Sequence, residues 1–149
     1  MHEDFAFFSS LRERGPRVRG DVEVLARVAE AGMCVGAKDV SMAGLLGSLA
    51  MLLEPAGVGV AVELDGLPRP AGVRLADWTA AFPSFAFLLC APPERAEECA
   101  AIFHEEGLRC QAVGVLDDTG ALRARLGGKE AVLLNTTRGA VTRLEGDGA

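Results

Sequence analysis

Lys38-Asp39-Val40-Ser41-Met42-Ala43-Gly44 runs without a break into Leu45-Leu46-Gly47-Ser48-Leu49-Ala50-Met51-Leu52-Leu53. An acid, a hydroxyl and a small-residue turn stand directly before an apolar segment with Leu45, Leu49, Leu52 and Leu53 on one face, so a helix is expected from Met42 to Leu53. Pro55 ends it, because proline removes the next amide donor. The helix start has two readings. In one, Asp39 or Ser41 caps the helix by accepting a hydrogen bond from a free amide of the first turn, with Gly44 easing the packing of that turn. In the other, the same amides and the positive end of the helix dipole face an anionic ligand. Caps are by far the commoner outcome of such spacing.

Working outward, Val58–Leu64 reads as a β-strand with its even positions apolar. Asp65–Gly72, with Pro68 and Pro70, is a rigid connection, and Leu75–Phe82 a short helix carrying the single tryptophan, Trp78. Phe85–Cys90 is apolar throughout, as a central strand covered on both faces would be. Pro92-Pro93 opens a helix that buries Ala96, Cys99, Ala100 and Phe103 and stops at Gly107. Arg109–Leu116 is the next strand. Asp117–Gly120 has hairpin-turn chemistry, Leu122, Ala124 and Leu126 alternate with arginines, Gly127-Gly128 turns again, and Ala131–Leu134 closes the set. Upstream, Asp21–Gly32 is helical by pattern. Met1–Gly20 holds an aromatic cluster (Phe5, Phe7, Phe8) and an Arg-rich stretch broken by Gly15 and Pro16. The fold expected is α+β, an α/β sandwich with a mixed sheet and helices on its faces. Its organisation is a lead-in segment and linker helix over 1–37, a domain over 38–144 and a frayed tail over 145–149.

The chain has 149 residues, half of them hydrophobic and 24% charged, which is the composition of one globular domain. Its formal charge of −6 argues against a nucleic-acid partner, since the run Arg12, Arg14, Arg17, Arg19 is interrupted by Glu13 and followed by Asp21. The uncharged run Met42–Leu53 is too short to cross a bilayer. Glu3 and Asp4 replace the basic, then apolar, start of a signal peptide, so the expected location is the cytoplasm. The four cysteines, at 34, 90, 99 and 110, form no CxxC pair and no ligand spacing with histidine, and are expected as buried free thiols.

Few residues suggest chemistry. His2 lies near the terminus, and His104 is expected on the solvent face of its helix beside Glu105 and Glu106. Asp117-Asp118-Thr119-Gly120 could ligate a hard cation but reads first as a turn. Asn135-Thr136-Thr137-Arg138 could grip an anion but reads first as a polar strand end. Neither a Walker-type loop, a GxGxxG after a strand nor a metal pattern is present.

In their order along the chain, Asp39–Leu45, Ala56-Gly57-Val58-Gly59-Val60, the apolar strand after Pro83-Ser84, the Pro92-Pro93-Glu94 helix start and Gly107-Leu108 through Val113-Gly114 resemble the C-terminal domain of the AIR synthase-related (PurM-like) superfamily. This superfamily includes aminoimidazole ribonucleotide synthetase, formylglycinamidine synthase, selenophosphate synthetase, thiamine-monophosphate kinase and the hydrogenase maturation factor HypE. The resemblance spans residues 20–144. It implies a PurM C-terminal-like fold, partly ferredoxin-like in topology, and a role beside ATP and Mg2+ in a cleft between N- and C-terminal domains, where an oxygen is activated by phosphorylation. Carried over by position, the phosphate or nucleotide side of that cleft falls on Lys38, Asp39, Ser41 and Gly44.

Met42 stands where the thiamine-monophosphate kinase pattern has an acid, so no metal carboxylate is implied there, and the pattern is closest to an uncharacterised AIR synthase-related subgroup. No catalytic residue and no metal ligand is assigned to this chain. The family's N-terminal domain, with its acidic metal and nucleotide ligands, would precede residue 1. The resemblance therefore implies half of an ATP-dependent kinase- or synthase-like enzyme, inactive alone and completed by an N-terminal domain in cis or on a separate chain. ATP and Mg2+ are not expected to be held by this chain by itself. The alternative is a stand-alone non-catalytic ligand-binding or protein-interaction module. In either case a lost partner face would leave apolar surface exposed, through which a homodimer could form. The acceptor substrate is not legible.

Overall fold

The computed structural model of the protein describes residues 7–82 and 86–135, with the backbone alone for 7–16 and 18. The chain packs as two compact units, 1–36 with 89–111 and 37–88 with 112–149.

The first unit is built on helices α1 (Phe7–Glu30) and α4 (Ala96–Glu105). Val24 and Val28 recur one helical turn apart on α1 and are buried together with Met33, Cys99 and Phe103. Both helices end on a glycine in the left-handed region, Gly32 at φ 62° and Gly107 at φ 72°. At the first stop the amide of Met33 reaches back to the Val28 carbonyl at 3.0 Å, and at the second the amide of Leu108 reaches the Phe103 carbonyl at 2.9 Å. These long back-bonds satisfy carbonyls that the helix itself leaves unpaired. Arg27 bridges to Glu106 at 2.7 Å and Glu105 at 3.4 Å on the exposed rim. A short 3-10 turn, Pro93–Arg95, leads into α4, as the double proline predicts.

One expectation is corrected here. The Arg-rich stretch Arg12–Gly20 is part of α1, which begins at Phe7 well before Asp21. Gly15 and Pro16 are weak formers, but Pro16 removes only one amide donor and the turns on either side continue. Phe5 and His2 lie outside the described residues, as do the side chains of Phe7 and Phe8.

The second unit carries a four-stranded sheet of β2 (Gly59–Glu63), β4 (Gly114–Asp117), β5 (Ala121–Leu126) and β6 (Lys129–Asn135), in the order β4-β2-β5-β6. Strand β2 runs antiparallel to β4, with Val60 opposite Leu116, and parallel to β5, with Val60 opposite Leu122. The sheet is therefore mixed, and the fold is the α+β class expected. Flanked by strands on both edges, β2 buries Val60, Ala61 and Val62 in succession, so both parities are covered, not the even positions alone. Alternation places Val60, Val62, Leu122 and Ala124 on one face, all buried. The opposite face carries Ala61, Val115, Arg123 and Val132, and there Val115 is 75% and Val132 63% exposed. Across it Arg125 joins Glu63 at 2.9 Å and Glu130 at 2.6 Å.

Two further expectations change. Residues 109–113 form no strand; β4 starts at Gly114, and the preceding residues are tied to β2 by the Glu63 amide on the Val113 carbonyl at 2.8 Å. Asp117–Gly120 does not make a hairpin, because β2 lies between β4 and β5. Gly127-Gly128 does: with φ of 55° and 74° it closes β5 onto β6, Leu126 opposite Lys129. Helix α2 (Gly44–Leu53) passes through a 3-10 turn at Glu54–Ala56 that contains Pro55, and α3 (Leu75–Ala80) is anchored by Trp78 Nε1 donating to the Pro68 carbonyl at 2.9 Å. Strands β1 (Gly36–Asp39) and β3 (Phe87–Cys90) form a separate two-stranded ribbon.

Candidate functional site

The predicted site residues sit where β1 gives way to α2. Val40 is buried and its amide donates to the Ala86 carbonyl at 2.8 Å, which fixes the exit from the strand. The Ser41 amide then donates to Ser48 Oγ at 3.0 Å, and the Gly44 amide to the Ser41 carbonyl at 2.9 Å, closing a turn directly before the helix. Ser48 is fully buried.

Gly44 opens α2 at φ 67°, a conformation that L side chains rarely adopt. A Cβ there would stand 2.4 Å from the Thr79 carbonyl oxygen and 3.0 Å from Ala80 Cα. Glycine is thus required twice, for backbone conformation and for the close approach of α3.

The capping reading fails. Ala43 occupies the N-cap position with no side-chain hydrogen bond, and the first turn of α2 carries no acidic residue. Asp39 instead pairs with its neighbour, Lys38 Nζ standing 3.2 Å from Asp39 Oδ1, and Ser41 contributes its backbone to the turn. The positive end of the α2 dipole follows this turn directly, while the Lys38 ammonium is paired with Asp39 at the end of β1. Met42 beside them is 87% exposed. Lys38 and Asp39 end β1, and Ser41 and Gly44 close the turn that follows, all within the second unit.

The other candidates resolve into structural roles. His104 Nε2 lies 2.7 Å from the Cys110 carbonyl, tying the segment after α4 back to the helix. Asp117 accepts from the Thr119 amide at 2.9 Å and pairs with the Thr119 hydroxyl and with Arg123. These donors, Thr119 foremost, hold its carboxyl below the ordinary carboxylate value. An aspartate so engaged is a turn and strand-end anchor. Among the described residues no group of three or more His, Cys, Asp and Glu side chains could hold a metal ion. Residues 136–138 of the Asn135–Arg138 candidate lie outside the described residues. No helix among the described residues is long and apolar enough to cross a membrane.

The spacing of the cysteines hid one arrangement. All four belong to the first unit, Cys99 in its core and Cys34 and Cys110 packed against that core. Local motifs could not reveal this, since the four lie in four separate segments; only the apolar face of α4 pointed to Cys99.

An uncharacterised protein of Synechocystis is 33% identical to this chain over 125 residues, 84% of this chain and 39% of the relative. The phosphoribosylformylglycinamidine synthase subunit PurL of the same organism is 30% identical over 94 residues, 62% of this chain and 12% of the relative. The chain thus spans well under half the length of either. In fold it is similar to T. maritima PurL complexed with ATP, with a TM-score of 0.71 and 18% identity over 78% of this chain and 20% of that one. Residues 12–127 match the family described as AIR synthase related protein, C-terminal domain, and the chain belongs to that family.

Proposed function

We propose that this chain provides the C-terminal half of an ATP-dependent, kinase- or synthase-like phosphoryl-transfer site, with residues 38–144 as its domain. The observation that carries this reading is the start of α2, an apolar helix whose first turn has neither a side-chain cap nor an acid. The ATP complex of the similarly folded T. maritima PurL supports a nucleotide as the ligand class. In this reading the remaining first-turn amides and Lys38 Nζ face phosphate oxygens, Ser41 adds a hydroxyl, Gly44 lets the turn form against α3, and Asp39 holds the Lys38 ammonium in place. Asp39 is the sole carboxylate of this turn and Met42 adds none, so these residues do not fit a magnesium site. Metal ligation therefore falls to an N-terminal domain in cis or on a separate cytoplasmic chain, and phosphoryl transfer requires that second half.

Calorimetry tests the reading. Inorganic pyrophosphate should give measurable heat with the full chain, ATP should do so once a metal-binding half is supplied, and Lys38→Ala should weaken either about tenfold, as expected for loss of a charge-assisted contact. The absence of heat with either ligand, or an affinity unchanged in Lys38→Ala, would reduce the turn to a structural role. A non-catalytic interaction module is the second reading, favoured by the exposed Val115 and Val132 on the open face of the sheet. It predicts binding without ATP turnover even when a metal-binding half is supplied.

A further inference from the structure

The open face of the four-stranded sheet is laid out in rows that run from β4 across β2 and β5 to β6. Register sets Val115, Ala61, Arg123 and Val132 in one row, and Glu63, Arg125 and Glu130 in the next. Val115 and Val132 stand at the two ends of their row, 75% and 63% exposed, while Ala61 between them is 8% exposed. The middle of the face is low because of what β2 carries. Gly59, two positions before Ala61 and on the same face, has no room for a Cβ, which would stand 2.6 Å from Asp117 Oδ1. Arg123 leaves β5, crosses β2 and pairs with Asp117 on β4, so its side chain lies along the sheet instead of standing up from it. A flat centre is thus flanked by two projecting valines.

Such a face matches its own reverse. A two-fold axis parallel to the strands, midway between β2 and β5, keeps each row at its height and inverts its order. Val115 of one copy then faces Val132 of the other, twice over, and the two flat centres meet. In the adjoining row Glu63 falls opposite Arg125 of the second copy, and Arg125 opposite its Glu63. Glu130 falls opposite Val113, which follows Gly114 in the register of β4 on β2, so no like charges are opposed. Within each copy Arg125 is already held in this row by Glu63 and Glu130. An unrelated partner would require no such match between the face and its own reverse.

We propose that this face is a homodimer interface, in which the open sheets of two copies stack with their strands aligned. The contact is isologous, so both Val115–Val132 pairs form together. Four strands at about 4.8 Å spacing make a face roughly 20 Å wide. That is at the small end of protein interfaces, so the dimer is weak and forms as concentration rises. The proposal deepens the interaction reading above, resting on the same exposed valines, and is independent of any nucleotide.

Sedimentation equilibrium of the full chain over a concentration series tests it. Wild type should pass from monomer toward dimer. Val115→Lys and Val132→Glu, at exposed positions, should each raise the dissociation constant about tenfold, since each buries an unpaired charge twice, with thermal melts establishing that both variants are folded. Mixing the two variants should restore association, because in the mixed pair the introduced cation meets the introduced anion at one contact and Val115 meets Val132 at the other. Lys38→Ala should self-associate as wild type does, which separates this result from that of the pyrophosphate titration. A wild type that stays monomeric throughout, a single variant that associates as wild type does, or a mixture no tighter than its components would each overturn the proposal.

Discussion

The amide of Ser41 donates to the hydroxyl of Ser48, seven residues further along the chain, at 3.0 Å. This bond joins the turn before α2 to the second turn of the helix, and its acceptor is fully buried. The serine that the sequence pattern singles out therefore acts through its backbone, and the serine that holds the turn is the one inside the helix. Ser48→Ala should cost about 1–3 kcal/mol in urea denaturation, because it leaves a part-buried amide unpaired. Ser41→Ala should change stability by less than about 0.5 kcal/mol. Equal costs for the two would contradict this assignment.

Gly44→Ala places a methyl group against the Thr79 carbonyl at a positive φ. The strain and the forced movement of α3 together should cost about 2–4 kcal/mol. Trp78, one residue from the contact, makes the loss readable as a lowered midpoint in fluorescence-detected unfolding.

Asp39→Ala separates the two readings of the opening motif. A capping aspartate would lose about 1 kcal/mol of stability. The structure has Asp39 pairing with Lys38 at an exposed position, so the midpoint should move by less than about 0.5 kcal/mol. Affinity for inorganic pyrophosphate, by contrast, should fall several-fold as Lys38 loses its anchor, and a melt and a titration on the same preparation read the two effects.

Asp117 supplies a pH dependence. Its folded-state value is depressed first by the Thr119 hydroxyl and amide, with Arg123 adding to the effect, below the ordinary 3.8. A depressed value means that the carboxylate stabilises the fold above the unfolded value and that this is lost as pH falls through the folded one. Wild type should therefore melt above Asp117→Ala at about pH 7, and the gap should close below pH 3.8. A gap that persists in strong acid would point to packing in place of charge.

How much of this was legible depends on how local each signal is. The apolar run Leu45–Leu53 ended by Pro55, the β-rich Gly59–Glu63 and the Gly127-Gly128 turn carry their own instructions, and the structure has helix, strand and hairpin there. Asp117–Gly120 also carries turn chemistry, but turn residues specify that the chain reverses, not which strand it lies beside, and β2 intervenes. The sequence reading starts the strand at Arg109, but residues 109–113 lack a pairing partner on the sheet for most of that length. At the candidate site, the grouping of Lys38, Asp39, Ser41 and Gly44 follows from their adjacency, whereas the Ser48 hydroxyl and the carbonyl of Thr79 are reached only through folding. The gathering of four distant thiols is of the same kind.

Strand β2 sits between β4 and β5, and its Glu63 meets Arg125 62 positions downstream. During synthesis, a segment whose Val60, Ala61 and Val62 all end up buried must wait, with both its edges unpaired, until nearly the whole sheet has left the ribosome. Long-range pairing of this kind is slow and leaves a sticky strand exposed meanwhile. Folding of this chain is thus a race between late arrival of β4 and β5 and capture of β2 by another chain, so synthesis rate and chaperone supply, more than final stability, should set its soluble yield.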